Sequence, residues 1–73
     1  DLAEEAESRD RVSRVRREIG KMDARDREIA MLVFFESLSA AETGRLLGMP
    51  SATVRWRLSP IRRRLRRACG EDA

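Results

Sequence analysis

The sequence predicts an all-α fold, a single domain of four helices joined by short turns. No segment of the 73 residues alternates polar and apolar side chains over the length of a strand. Apolar residues recur instead at helical spacing, and capping residues and glycines mark where each helix begins and ends. A chain of this length also has room for only one modest hydrophobic core.

The first helix is predicted over residues 3–20, with Gly20 as its stop. Its acidic start suits the positive end of the helix dipole. Because the chain starts at Asp1 without an initiator Met, we interpret it as part of a longer protein. Residues 1–20 are then the end of an inter-domain linker, and residues 21–73 are the domain proper. Four apolar residues form the narrow core-facing stripe of this helix: Val12, Val15, Ile19 and Met22.

The second helix is predicted over residues 24–36. Asp23 is a good N-cap, and Asp26 occupies the third helical position. The segment behind them is apolar on nearly all sides, so two interpretations stay open. The helix is either purely a core element, or a core element that also exposes a patch for a partner. Its apolar residues are Ile29, Met31, Leu32, Val33, Phe34 and Phe35.

A short third helix is predicted over residues 40–47, followed by a tight turn. Ser39 and Glu42 have the spacing of a capping box, and Gly48 can adopt the left-handed conformation that ends a helix. Gly44 allows a neighbouring segment to approach closely, and Val54 fills the space between the third and fourth helices. This pattern indicates a helix-turn-helix within residues 39–67.

The fourth helix is predicted to start at Ser51, which serves as its cap. Pro60 lies inside this helix and removes one backbone hydrogen bond. Since Ser59 and Pro60 together also make a good helix start, we expect a kink or a break at this point. The core-facing stripe, about 60° wide on a helical projection, consists of Val54, Leu58, Ile61 and Leu65.

Charge is segregated along the chain. The formal net charge is only +3, although two fifths of the residues are charged. Seven arginines lie between Arg55 and Arg67, and Lys21 is the single lysine. A clustered basic stripe is expected to bind a polyanion, and the guanidinium group can bind phosphate or guanine with two hydrogen bonds. The alternative is a solvated helix face without a partner.

The fourth helix supplies the candidate DNA contacts. In a helix-turn-helix, the second helix enters the major groove and its N-terminal residues face the base edges. The base-edge candidates are Ala52, Arg55, Trp56 and Ser59, of which Arg55 is the best suited to guanine. The phosphate-contact candidates are Arg45, Ser51, Thr53, Arg57, Arg62, Arg63, Arg66 and Arg67. Trp56 is expected either to stack against a sugar or a thymine methyl group of the DNA, or to pack against a neighbouring domain of the parent protein.

Several classes of protein are disfavoured. Cys69 is the only cysteine and histidine is absent, so we expect neither an internal disulfide nor a zinc site. No apolar stretch is long enough for a membrane span, and no signal peptide is recognisable. The sequence has no nucleophile–base pair, glycine-rich phosphate loop or metal set. We therefore expect a cytoplasmic, non-enzymatic protein without cofactors.

Between Met22 and Arg67 the chain resembles region 4 of the extracytoplasmic-function sigma factors of bacterial RNA polymerase, without gaps. The opening Met22-Asp23-Ala24-Arg25-Asp26-Arg27-Glu28 fits that family's alternation of acids and arginines. Phe34-Phe35-Glu36-Ser37-Leu38-Ser39 corresponds to its aromatic-aliphatic-Glu-Gly-Leu-Ser stretch. Ala41-Glu42 and Leu46-Leu47-Gly48 correspond to its third helix. Thr53-Val54-Arg55 with Arg57-Leu58 corresponds to its Thr-Val-basic-x-Arg-Leu signature.

The resemblance implies a helix-turn-helix domain without a wing that binds the −35 element of promoters. It also implies docking to the β flap of RNA polymerase, control by an anti-sigma factor, and association with the bacterial nucleoid when active. Met31, Phe34 and Phe35 are the implied partner surface.

The chain departs from the family pattern at Trp56, Pro60 and Ile61, and two alternatives follow. One is a degenerate sigma-like module that binds proteins and no longer reads DNA. The other is a LuxR-type DNA-binding domain, which Leu58-Ser59-Pro60-Ile61 also resembles.

Overall fold

A computed structural model describes residues 2–70, and Asp1 of the acidic start and residues 71–73 lie outside that range. Helix α1 spans Leu2–Gly20, and α2 spans Ala24–Ala30 and continues as a π-helix over Met31–Phe35. Helix α3 spans Ala40–Leu47 and α4 spans Ser51–Ala68, with no strand within residues 2–70. The predicted all-α fold is thereby confirmed. None of these helices is both long and apolar enough to cross a membrane.

The core lies where α4 packs against the other helices. The whole predicted stripe of α4 is buried, which confirms its orientation. In α1 only the C-terminal end of the predicted stripe reaches the core, because Val15 is half-buried and Val12 is 45% exposed. The buried apolar residues are Ile19, Met22, Ile29, Ala30, Val54, Leu58, Ile61 and Leu65.

Helix α2 begins as predicted, but its second half differs from the prediction. The Asp23 carboxylate caps α2 by accepting a hydrogen bond from the Asp26 N–H at 2.9 Å. From Met31 onward the chain widens into a π-helix, and the Glu36 N–H donates to the Met31 carbonyl five residues earlier, at 3.1 Å. Ser37 then takes a φ of 58°, which redirects the chain towards α3. The helix predicted over residues 24–36 is therefore present to Phe35, but from Met31 onward it has the hydrogen-bond pattern of a π-helix.

Helix α3 has the predicted bounds and capping. Ser39 Oγ accepts from the Glu42 N–H at 3.0 Å, and Glu42 Oε1 accepts from the Ser39 N–H at 2.9 Å. Gly48 ends the helix in the left-handed conformation, with a φ of 70°. A Cβ atom on Gly44 would overlap the carbonyl oxygen of Met49, so the turn passes directly over this residue. The absence of a side chain at Gly44 thus sets how closely the turn packs on α3.

Helix α4 corrects two predictions. Pro50 rather than Ser51 is the N-cap, because the Pro50 carbonyl accepts the first helical hydrogen bonds, from the N–H groups of Thr53 and Val54 at 3.0 and 3.2 Å. The helix also runs from Ser51 to Ala68 without interruption, so of the two outcomes expected at Pro60, the break with a new start at Ser59 is wrong. Pro60 lies on the exposed face. Water can therefore solvate the Trp56 carbonyl, which loses its helical donor.

Two ion pairs fix α4 against its neighbours. Arg57 Nη1 lies 2.8 Å from Asp26 Oδ1 of α2, and Arg64 Nε lies 2.6 Å from Glu18 Oε1 of α1. The C-terminal part of α1 therefore lies beside the second half of α4. Val12 borders the same groove as Cys69, so the two helices run antiparallel. The first half of α1 consequently extends past the C-terminal end of α4.

Candidate nucleic-acid interface

The base-edge candidates form one exposed row on α4. Ala52, Arg55, Trp56 and Ser59 are all exposed, and Trp56 is 80% exposed. The row lies on the face away from the buried stripe, because a helix buried along one side presents the other to solvent. The structure therefore brings the four candidates together on the second helix of the helix-turn-helix.

Arg55 is exposed and makes only one weak contact with a neighbouring side chain. Its Nη1 atom lies 3.5 Å from Ser51 Oγ, one turn earlier in α4. A hydrogen bond at this distance is at the limit of the usual geometry and holds the guanidinium weakly. Exchanging it for two bonds to guanine N7 and O6 would therefore cost little.

Most phosphate candidates lie before this row or follow it along α4. The half-buried residues Ser51 and Thr53 lie in the first turn of α4, where backbone N–H groups point out of the helix. Arg45 is exposed on α3, which precedes the turn. The exposed phosphate candidates along α4 are Arg62, Arg63, Arg66 and Arg67.

Arg57 differs from the other phosphate candidates because its guanidinium is paired with Asp26 across α2 and α4. A phosphate at this position would have to compete with the Asp26 carboxylate. Arg64 is paired with Glu18 in the same way. Both pairs escaped the sequence analysis, although the sequence holds a signal. Arg57 and Arg64 are seven residues apart, and each precedes a core leucine, which places them at the border of the helix–helix contact.

The candidate partner surface is divided in two. Phe34 is 38% exposed and Phe35 is half-buried, and both border a groove of about 400 Å³ between α1, the π-helix and the end of α4. Arg16 lies over the Phe35 ring at 4.4 Å from its centroid, and Arg62 lies over the Phe34 ring at 5.8 Å. Met31 instead borders a separate depression with Leu46 and Leu47. Neither phenylalanine is fully buried, so an exposed patch for a partner stays open as an interpretation.

Three carboxylates have lowered pKa values, and in each case the cause is a hydrogen bond that stabilises the fold. The hydrogen bond from the Arg64 guanidinium lowers the pKa of Glu18. The backbone N–H of Asp26 lowers the pKa of Asp23, and the backbone N–H of Ser39 lowers that of Glu42. Within residues 2–70, no group of three or more His, Cys, Asp or Glu side chains could hold a metal ion.

Comparison with known proteins identifies one family. A family model described as Sigma-70, region 4 matches residues 19–67, which is more than half of the chain. The matched segment runs from the end of α1 to the last turn of α4 and includes the whole helix-turn-helix. No curated protein and no solved structure matches the chain.

Proposed function

The chain belongs to the Sigma-70 region 4 family, and from this membership we propose that α4 reads the −35 promoter element through Arg55 and its exposed neighbours. Region 4 is the part of a sigma factor that binds −35 promoter DNA, so promoter DNA and RNA polymerase are its partners. We assign the chain to the extracytoplasmic-function group within this family. The motifs Thr53-Val54-Arg55 and Arg57-Leu58 support that assignment.

One observation carries the proposal. The row Ala52, Arg55, Trp56 and Ser59 is exposed along the second helix of the helix-turn-helix, while the opposite face of that helix is buried. An unbroken helix of 18 residues can lie in a major groove with this row facing the bases. The surrounding arginines and the first turn of α4 then contact phosphates and hold the helix in register.

The phenylalanine groove is the second contact surface in this proposal. Phe34 and Phe35 dock to the β flap of RNA polymerase, and an anti-sigma factor covers the same groove when the sigma factor is held inactive. The partial exposure of both rings supports this assignment, because a ring that served only the core would be buried. Met31 would meet a different part of the partner, since it borders another depression. We place this activity in the bacterial cytoplasm, on the nucleoid during initiation.

The alternative of a degenerate protein-binding module has lost its main support. It depended on Pro60 spoiling the DNA-reading helix, but α4 continues through Pro60 without a break. The LuxR-type alternative is disfavoured by the match to Sigma-70 region 4 over residues 19–67.

Selection of bound duplexes from a random pool, with and without RNA polymerase core, tests the DNA-binding proposal. We expect a single enriched motif and an affinity that falls steeply with salt, with about −0.9 of log–log slope per neutralised phosphate. Arg55→Ala should remove preference at one guanine and leave the remaining motif unchanged. Binding that does not respond to salt, or a pool without enrichment in either condition, would contradict the proposal.

The flap contact has a separate test. Phe34→Ala should weaken binding to the isolated β flap and leave the affinity for duplex DNA unchanged. Leu2→Ala is the matched control, because Leu2 is also an exposed apolar residue, 79% exposed, but lies outside the groove. Equal flap affinity for the two variants would exclude the phenylalanine groove as the docking surface.

A further inference from the structure

Trp56 lies in an unusual position for a large apolar side chain. It is 80% exposed, on the same face of α4 as Arg55, and Pro60 follows it by one helical turn. Trp56 and Pro60 border a shallow depression of about 520 Å³. Burying an exposed aromatic ring of this size is favourable, so a ligand with an apolar group would gain affinity here.

The depression does not suit a phosphate. Asp26 and Arg57 also border it, and their side chains form an ion pair at 2.8 Å, so their charges largely cancel. Pro60 has no backbone N–H to donate. Arg63 at its border is the cation left to attract a polyanion, and Arg63 can hold a neighbouring phosphate while the depression itself takes an uncharged group.

Trp56 and Pro60 of the depression match one base edge, whereas the hydroxyl of Ser59, which also borders it, can donate or accept and suits any base. The indole of Trp56 offers an apolar surface and a single donor, Nε1–H, and Pro60 adds an apolar ring. In the major groove thymine presents the C5-methyl group, the one apolar group on a base edge, next to the O4 acceptor. Cytosine presents a donor and no methyl group, guanine presents acceptors and no methyl group, and adenine presents an acceptor and a donor but no methyl group. Thymine alone complements both features of Trp56.

We propose that Trp56 and Pro60 form a thymine-specific site, which binds the C5-methyl group and O4 of a thymine close to the guanine read by Arg55. This inference rests on the proposed function, because it requires α4 to lie in the major groove. It assigns to Trp56 one of the two roles that the sequence left open. It also gives Pro60 a function, since proline supplies apolar surface without an additional donor.

Replacing each thymine of the selected duplex by uracil tests the site, because uracil lacks only the methyl group. For the unmodified chain, we expect one position at which uracil weakens binding about fourfold, the effect of removing one buried methyl group. Trp56→Ala should abolish that difference, and Trp56→Phe should retain it because the ring remains. Leu46→Ala, which removes another exposed apolar side chain, 65% exposed, on α3, should also retain it.

The other outcomes separate this site from the proposed function. Equal loss of affinity for thymine and uracil duplexes in Trp56→Ala would mean that Trp56 contacts sugar or backbone, and would overturn the thymine site alone. Unchanged duplex affinity with weaker polymerase binding would assign Trp56 to a protein contact and also overturn it. Absence of salt-dependent duplex binding by the unmodified chain would overturn the proposed function and the thymine site with it. Circular dichroism of each variant checks that α4 still folds.

Discussion

Ser37 is the non-glycine residue with a positive φ among residues 2–70, at 58°. The left-handed conformation costs a residue with a Cβ atom on the order of 1–2 kcal/mol, and glycine avoids this cost. We therefore expect Ser37→Gly to raise the free energy of unfolding by about 1 kcal/mol, measured by urea denaturation. The control is Ser13→Gly, within α1, which should lower stability because glycine weakens a helix interior. A loss of stability in Ser37→Gly would contradict the strain assigned to Ser37.

The ion pair between Arg57 and Asp26 is the second feature at the residue scale. The two side chains are 37% and 28% exposed, so solvent screens the pair only in part. We expect a double-mutant cycle with Arg57→Ala and Asp26→Ala to give a coupling of about 0.5–1 kcal/mol in unfolding free energy.

The same pair predicts an effect on DNA binding. Because Asp26 already neutralises Arg57, Arg57→Ala should change the salt slope of duplex binding less than Arg63→Ala does. Equal changes in slope would show that Arg57 leaves Asp26 and contacts a phosphate.

Among the elements, α3 and the turn after it depend most on a single residue. A Cβ atom on Gly44 would overlap the backbone oxygen of Met49, which cannot move without shifting the turn before α4. Gly44→Ala should therefore lower the free energy of unfolding by about 1–3 kcal/mol, despite the better helix propensity of alanine. Gly20→Ala is the matched control, because a Cβ atom there has no neighbour within 4 Å. Thermal unfolding of both variants is the measurement, and equal stability would contradict the close approach.

The capping box of α3 predicts a dependence on pH. The Ser39 N–H donates to the Glu42 carboxylate, which lowers the pKa of Glu42 below the ordinary 4.5. The stabilisation that the Glu42 carboxylate contributes is therefore present above pH 4.5. It is lost as the pH falls through the lower pKa that Glu42 has in the folded state. We expect Glu42→Gln to reduce the loss of stability below pH 4.5, measured by urea denaturation at several pH values. Part of the loss of stability in acid should remain in this variant, because Glu18 and Asp23 also have lowered pKa values. If stability depended on pH equally in the variant and the unmodified chain, the prediction for Glu42 would be contradicted.

The elements also show what the sequence can predict. The bounds of α3 follow from Ser39, Glu42 and Gly48, which act within a few residues of the helix ends they define. The π-helix could not be predicted in this way, because Met31–Phe35 is uniformly apolar and carries no periodicity that distinguishes the two helical hydrogen-bond patterns.

The site was predictable to a similar extent. The exposed row of α4 followed from the position of its buried stripe. Local spacing places Arg57 at the border of a helix–helix contact but could not identify its partner, since Asp26 lies 31 residues away in the sequence. The separation of Met31 from the two phenylalanines was likewise not predictable, because it depends on which helices pack beside Met31–Phe35 in the fold.

At the scale of the whole molecule, the acidic start of α1 lies far from the base-edge candidates of α4. The described residues extend over 41 × 22 × 20 Å, and α1 runs antiparallel to α4. The acidic residues of α1 therefore lie beyond the C-terminal end of α4, away from the first turn of α4 and Arg55. Helical rise places Glu5 roughly 20 Å from Glu18, which contacts Arg64. This exceeds the screening length of about 8 Å at physiological ionic strength, so Glu5 should hardly weaken the attraction between the first turns of α4 and DNA.

Neutralising these acids tests whether charge position or net charge controls DNA binding. The combined variant Glu4→Gln, Glu5→Gln, Glu7→Gln and Asp10→Asn raises the net charge by four. Because the salt slope counts neutralised phosphates, it should stay unchanged in this variant, whereas Arg63→Ala alone should reduce it by about 0.9. Both slopes come from titrations of the selected duplex over a range of salt concentrations. A variant slope that changed with net charge would mean that the first half of α1 also contacts DNA. If only Arg63→Ala alters the slope, the contact is confined to the surface that α4 presents, and the low net charge of +3 does not oppose it.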